Sequence, residues 1–176
     1  MLQHMNIEFL IFSGICFLCY LIRTVFNILA HNKNPLAENR IIVWSIYIIM
    51  GILWFSWFEM CFFDPVKINV PVLIRCFGLL LFITGVFLFI FSHIKLKGFE
   101  EKGELITRGI FSKIRNPMYL GFIIWIIGFP LFMQSLITLV SSVLWISFII
   151  CWKILEEKDL EKKYKEYSEY KKKTWF

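Results

Sequence analysis

Polar and apolar positions are segregated along this chain into blocks rather than interleaved. An amphipathic helix of a soluble bundle places a polar residue every third or fourth position. Here five apolar runs continue almost unbroken over about 8–30, 41–63, 71–96, 117–132 and 134–155. A run of roughly 20 apolar residues is long enough to cross a bilayer as a helix. The pattern therefore predicts an all-α, polytopic membrane protein with about five transmembrane helices. The fourth run is short and carries Gly128 and Pro130. Only a residue or two parts it from the fifth, so these two form a tight antiparallel hairpin. A charged tail over 156–176 follows, predicted as a further helix. No internal repeat or low-complexity linker interrupts the pattern, and residues 1–176 read as one domain. The first run has no basic stretch before it and no small-residue cleavage site after it. It reads as a membrane helix rather than a removable signal.

Composition agrees with this reading: 59% of the 176 residues are hydrophobic and 18% are charged, against roughly a quarter charged in soluble domains. The net charge of +6 could point to nucleic acid. The basic residues sit mostly in loops flanking the runs, however, where topology and anionic lipid account for them. The first loop holds Lys33 and Arg40, and the third holds Lys97, Lys102, Arg108, Lys113 and Arg115. The tail is rich in lysine, whereas the second link offers only Lys67 against Asp64. The positive-inside rule then puts the first loop, the third loop and the tail in the cytoplasm and the N-terminus outside.

Three ionisable residues fall within or near the ends of runs. Arg23 stands about two turns from the cytoplasmic end of its helix, within snorkelling reach. Glu59 and Arg75 both lie toward the outer side, where they can pair. Of the five cysteines, Cys16 and Cys19 have the CxxC spacing, but inside an apolar helix without a second pair or a histidine. Small buried hydrophobes are the expectation for all five, with no metal site and no disulfide framework.

The residues with chemical potential gather on the cytoplasmic face. In the stretch 103–111, Gly103 and Gly109 frame Glu104, Leu105, Ile106, Thr107 and Arg108, which predicts an irregular loop with exposed backbone. Such backbone is tolerated beside a membrane only where protein or ligand satisfies it. Pro117 then opens the fourth helix at a favourable first-turn position, just before Tyr119, and Gly121 permits close approach by a ligand or another helix. In the tail, Leu160, Tyr164 and Tyr167 share one helical stripe, with Glu157 just above it and Glu156 beside it on the Leu160–Tyr167 edge. Adjacent carboxylates at the interface are placed to hold a cation.

Taken in order, these segments resemble the integral-membrane methyltransferases, which include isoprenylcysteine carboxyl methyltransferases and phospholipid N-methyltransferases. The likeness rests on Leu105, Thr107, Gly109 and Phe111; on Arg115, Asn116, Pro117, Tyr119 and Gly121; and on Glu156, Glu157, Leu160, Tyr167 and Tyr170. Arg75, Gly78 and Gly85 upstream are similar too. The resemblance implies S-adenosylmethionine as cofactor, bound on the cytoplasmic side by Leu105, Ile106, Thr107, Gly109, Arg115, Asn116, Pro117, Tyr119, Gly121, Glu156, Glu157 and Tyr167. It also implies a lipophilic substrate drawn from the bilayer, with Glu156, Glu157 and Asn116 as catalytic candidates and no nucleic-acid partner. Carboxylates can hold the donor's ammonium or a partner arginine, and Tyr119 and Tyr167 can face its sulfonium. Position 116 is Asn where the carboxyl-methylating branch has His. Asn does not titrate, which excludes proton transfer by this residue and tilts toward an amine or another acceptor. The tail also departs from the pattern, lacking a glycine before its tyrosines and the basic-then-proline ending.

Two other readings compete with a methyltransferase. A sterol-reductase-like membrane enzyme places a similar motif before a helix but needs room for NADPH. A non-enzymatic scaffold or transporter subunit calls for polar residues along the middle of the spans, where this chain has few beyond Ser and Thr.

Overall fold

The computed structural model describes residues 6–100 and 105–176, with the side chains of 97–100 outside the description. Six helices follow in order: α1 (Ile7–His31), α2 (Arg40–Phe63), α3 (Val72–Glu100), α4 (Pro117–Phe132), α5 (Leu136–Lys163) and α6 (Tyr167–Lys173). Two 3-10 turns, Pro35–Glu38 and Gly109–Ser112, complete the regular structure among the described residues. Lys102, Gly103, Glu104 and the side chain of Lys97, all placed in the third loop by the sequence, lie outside the described residues.

Four helices, α1, α2, α3 and α5, are long and apolar enough to span a membrane, and α4 is a shorter apolar helix. At 1.5 Å per residue, the 16 residues of α4 reach only about 24 Å. The outward-facing positions are apolar. Leu73 is 81% exposed, Ile41 76% and Val143 76%. A water-soluble surface does not present bulky aliphatics on this scale, whereas a bilayer solvates them. The all-α polytopic architecture read from the sequence is the one observed.

Local sequence explains where helices begin. Asn39 starts α2 by accepting from the Ile41 backbone N–H at 2.9 Å, and Asn34 does the same for the Pro35–Glu38 turn. The start of α5 has no such local cap. Asp64, at the end of α2, supplies it instead: its Oδ2 accepts from the Thr138 backbone N–H at 2.7 Å and from the Thr138 hydroxyl at 2.8 Å. Lys67 Nζ donates to the Cys61 carbonyl at 2.6 Å and to Ser135 Oγ at 2.8 Å. The link between α2 and α3 is thereby stitched to the α4–α5 hairpin, whose Gln134 takes a left-handed φ of 60° to reverse the chain.

The closest helix pair is α3 against α4, and glycine is the reason. A Cβ on Gly85 would come within 2.6 Å of the Gly121 carbonyl oxygen, and one on Gly78 within 2.8 Å of the Gly128 carbonyl oxygen. Antiparallel helices meet backbone to backbone along this seam, as small residues permit in membranes. Aromatic rings fill the remaining interior. Trp54 stacks on Phe122 at 4.9 Å, and Tyr20 of α1 stacks on Trp145 and Trp152 of α5 at 5.0 and 5.2 Å.

Two expectations need correction. Arg75 forms no ion pair with Glu59; its guanidinium sits 5.9 Å from the centre of the Phe132 ring, one face of the α3–α4 seam. Of the cysteines, Cys16, Cys19 and Cys61 are buried, but Cys76 is exposed on the outer side of α3.

Candidate functional site

The site lies at the end of the bundle where α1, α3 and α5 finish and α2 and α4 begin. Four chain pieces meet there: the loop 105–116, the first turn of α4, the last turns of α5, and α6 with the residues after it. Their junction is a buried polar cluster around Glu157. Its Oε1 accepts from Arg115 Nε at 2.8 Å and from Asn116 Nδ2 at 2.5 Å, and faces Lys153 Nζ at 3.3 Å. Lys171 Nζ lies 3.6 Å from its Oε2. Such a carboxylate is satisfied on every side, which burial requires.

Arg115 also reaches forward. Its Nη1 donates to the Thr174 carbonyl at 3.0 Å. Backbone bonds continue the stitch: Trp175 N–H to the Lys113 carbonyl at 3.0 Å, Arg115 N–H to the Trp175 carbonyl at 3.1 Å, and Asn116 N–H to the Phe176 carbonyl at 3.1 Å. Residues 113–116 and 174–176 thus run alongside each other as a short pairing.

The tail stripe predicted as one continuous helix is broken. At Tyr164 the backbone leaves the helix, with φ −121° and ψ 115°, and α6 starts anew at Tyr167. The break folds α6 back over the loop, and the Tyr170 hydroxyl donates to the Phe111 carbonyl at 2.6 Å. Burial pushes the Tyr170 hydroxyl up to about 12, with Arg115 offsetting part of the shift. Burial, and then the charge of Glu157, push Tyr167 up as well. Lys171 is raised chiefly by its hydrogen bond to Glu161 at 2.8 Å.

Between these pieces lies a cavity of about 320 Å³, of the size small-molecule sites take. Leu105, Ile106, Arg115, Asn116, Pro117, Tyr119, Glu156 and Tyr167 line it, as do Leu160 and Tyr164 from the tail. Inside, the Tyr119 hydroxyl donates to Glu156 Oε2 at 2.6 Å. Tyr167 is 1% exposed, and its hydroxyl finds no hydrogen-bond partner among the described residues. A buried polar group left unmatched calls for an explanation, and at Tyr167 the adjoining cavity offers room for one.

Not every residue named from the sequence reaches the cavity. Thr107 and Gly109 are exposed and outside its lining, although Gly109 has the left-handed φ of 64° that a glycine allows. Gly121 faces α3 rather than the cavity, meeting Gly85. Glu157 stands behind the wall, in the cluster with Arg115 and Asn116, while its neighbour Glu156 faces the cavity. Sequence reasoning missed Leu96, Met118 and Lys163 as lining residues. It also missed Lys153, whose i,i+4 spacing to Glu157 was the available signal.

Comparison with known proteins points one way. A family model described as phospholipid methyltransferase matches residues 73–167, the stretch from the glycine seam of α3 through the cavity to Tyr167. A protein-S-isoprenylcysteine O-methyltransferase of Saccharomyces cerevisiae is 36% identical over 91 residues, covering 48% of this chain and 36% of that protein. One of Schizosaccharomyces pombe is 37% identical over 57 residues, covering 31% of this chain and 24% of that protein. The match thus spans about a third or less of either curated relative. No solved structure matches. The glycine seam, the paired glutamates and every lining residue of the cavity but Tyr170 fall inside the matched stretch, and the chain belongs to the phospholipid methyltransferase family.

Proposed function

We propose that this protein transfers a methyl group from S-adenosylmethionine to a lipophilic acceptor at the cytoplasmic face of its membrane. The observation that carries this reading is the cavity in which a carboxylate, Glu156, and an unpaired buried hydroxyl, that of Tyr167, stand among tyrosine rings. Those residues fit the donor. Glu156 offers an acceptor for its ammonium group, the tyrosine faces suit a sulfonium, and the Tyr167 hydroxyl is a hydrogen-bonding group still to be used. The backbone of Leu105 and Ile106, which is in no helix, is available to a base edge.

Bound there, S-adenosylmethionine supplies an electrophilic methyl group on sulfur. The chain itself contributes position and dryness. The Glu157 cluster fixes the loop and α6 as walls, and Tyr119 fixes the carboxylate of Glu156. A displacement in which charge is lost gains from alignment and from exclusion of water. A carboxylate acceptor needs no base. For an ammonium acceptor, Glu156 is the carboxylate in position to take the proton. Asn116, with its amide bonded to Glu157 and to the Phe176 carbonyl, orients the cluster and moves no proton. The acceptor is isoprenylcysteine-carboxylate-like or phospholipid-amine-like. The names of the relatives support the first and the family description the second. Positive-inside reasoning supports a cytoplasmic site, with the N-terminus outside.

Calorimetry on purified protein tests the reading. S-adenosylmethionine or S-adenosylhomocysteine is expected to bind at micromolar concentrations, and Tyr119→Ala and Glu156→Gln to weaken that binding while leaving the protein folded. No binding of either ligand, with binding of NADPH instead, overturns it. A labelled-methyl screen against lipid extracts then identifies the acceptor.

A further inference from the structure

Arg23 of α1 is outside the stretch that matches the family and outside everything the site has used so far. It is partly buried, its Nε is sealed from solvent without a hydrogen-bond partner, and it forms no ion pair with any described residue. The centre of the Phe26 ring lies 5.5 Å from its guanidinium carbon. An arginine inside a membrane helix ordinarily pairs, faces water or serves a ligand. Among the described residues Arg23 has neither a hydrogen bond at Nε nor an ion pair.

Its place is fixed by neighbours on both sides. Tyr20, one turn earlier, is stacked against Trp145 and Trp152 of α5. Thr24, the next residue, accepts a hydrogen bond from Trp152 Nε1 at 2.7 Å, and Trp152 stands one turn before Glu156. Two turns on, His31 Nδ1 lies 2.7 Å from Asp159. Helices α1 and α5 therefore run side by side in parallel. Arg23, next to Thr24, lies about one turn from Glu156 along this helix pair, and Glu156, Tyr119 and Tyr47 of α2 are its electrostatic neighbours. The cation thus stands near the proposed donor site, outside the residues that line the cavity. Nearby positions are open to the bilayer: Ile22 and Val25 on α1, and Trp44 and Tyr47 on α2, are all exposed.

We infer that Arg23 is the anchor for the anionic head of the lipophilic acceptor, a carboxylate or a phosphate. It holds that group beside Glu156 while the hydrocarbon lies along the exposed faces of α1 and α2. The inference rests on the proposed methyl-transfer reading and adds the residue that holds the acceptor's anionic head. A guanidinium suits both head groups because its forked donors match carboxylate and phosphate oxygens.

The test uses the whole protein in detergent and quenching of its tryptophans by brominated amphiphiles. The probes are dibromostearate, dibromostearyl alcohol and a phosphatidate with brominated chains. The wild type is expected to prefer an anionic probe to the alcohol. Arg23→Met should lose that preference by about tenfold or more, the worth of one charge-assisted contact, and Arg23→Lys should retain most of it. Preference for dibromostearate identifies a carboxylate acceptor, and preference for phosphatidate a phosphate-bearing one.

Two further readings keep the outcomes apart. S-adenosylhomocysteine affinity should be unchanged in Arg23→Met. The melting temperature should hold or rise, because a partly buried cation with no ion pair among the described residues has been replaced by an apolar chain of similar length. Anion preference that survives in Arg23→Met overturns the assignment. So does a parallel loss of S-adenosylhomocysteine affinity or a lower melting temperature, either of which makes Arg23 a structural support of Glu156. A wild type that binds S-adenosylhomocysteine but shows no anion preference sinks this inference alone. A wild type that binds no S-adenosylhomocysteine sinks the methyl-transfer reading beneath it.

Discussion

Glu156 and Glu157 are adjacent and chemically identical, yet Glu157→Gln should unfold this protein far more readily than Glu156→Gln. The side chain of Glu157 is 7% exposed, and those of Arg115 and Lys153 are 9% and 12% exposed. Removing the carboxylate charge leaves two buried cations facing a neutral amide. Breaking a buried pair in this way costs about 3–5 kcal/mol. Lys171, 43% exposed, adds little, since solvent screens it. A glutamine retains one carbonyl oxygen for Arg115 or Asn116, so the lower end, about 3 kcal/mol, is the expected loss. For a chain of this size that corresponds to a fall in Tm of roughly 6–12 °C. Glu156→Gln keeps an acceptor for the Tyr119 hydroxyl, so that bond is weakened rather than lost and the change should cost about 1 kcal/mol.

Tryptophan-fluorescence melts of both variants in detergent, with and without S-adenosylhomocysteine, measure this contrast. The ligand should stabilise wild type and Glu157→Gln by mass action and do little for Glu156→Gln. A Glu157→Gln melt within about 2 °C of wild type would show that the buried cluster does not hold the site together. Equal losses in the two variants would refute the division of roles between a structural and a ligand-facing carboxylate.

Gly85→Ala should lower stability by roughly 1–3 kcal/mol, because its Cβ would lie 2.6 Å from a backbone oxygen of α4 that no side-chain rotation can move; an unchanged melt argues against the seam. Tyr167→Phe should leave the empty protein as stable as wild type or slightly more so, since it deletes an unpartnered hydroxyl, while reducing S-adenosylhomocysteine affinity in calorimetry by about tenfold if that hydroxyl meets the donor. For Tyr170, burial raises the hydroxyl in the folded state from its ordinary 10 to about 12. Folding is then unaffected by this group below pH 10 and loses stability as pH climbs from 10 toward 12, where only the unfolded chain ionises. Tyrosinate absorbance and alkaline melts follow the effect, and Tyr170→Phe should reduce it, leaving the part that comes from Tyr167.

The spans were legible because a bilayer demands long apolar runs, and α1 to α5 begin within a few residues of where those runs do. The Pro117 helix start and the tyrosines of the tail were legible as motifs, since each is a local arrangement. What the sequence did not reveal is non-local. Asp64 reads as a stray loop charge until Thr138 is found beside it, 74 positions along the chain. Gly121 reads equally as room for a ligand or for a helix, and only the register of α3 decides that Gly85 occupies the space. The break at Tyr164 is the instructive case. The helical stripe of Leu160, Tyr164 and Tyr167 is a genuine local preference, but the tail is also drawn back by Arg115 to Thr174 and by Tyr170 to Phe111. Those contacts cannot form if the helix continues straight, so the chain gives up part of a turn near Tyr164 to make them. The cavity exists because of that exchange: a straight tail would carry Tyr167 and Tyr170 away from the loop and leave Glu156 facing open solvent.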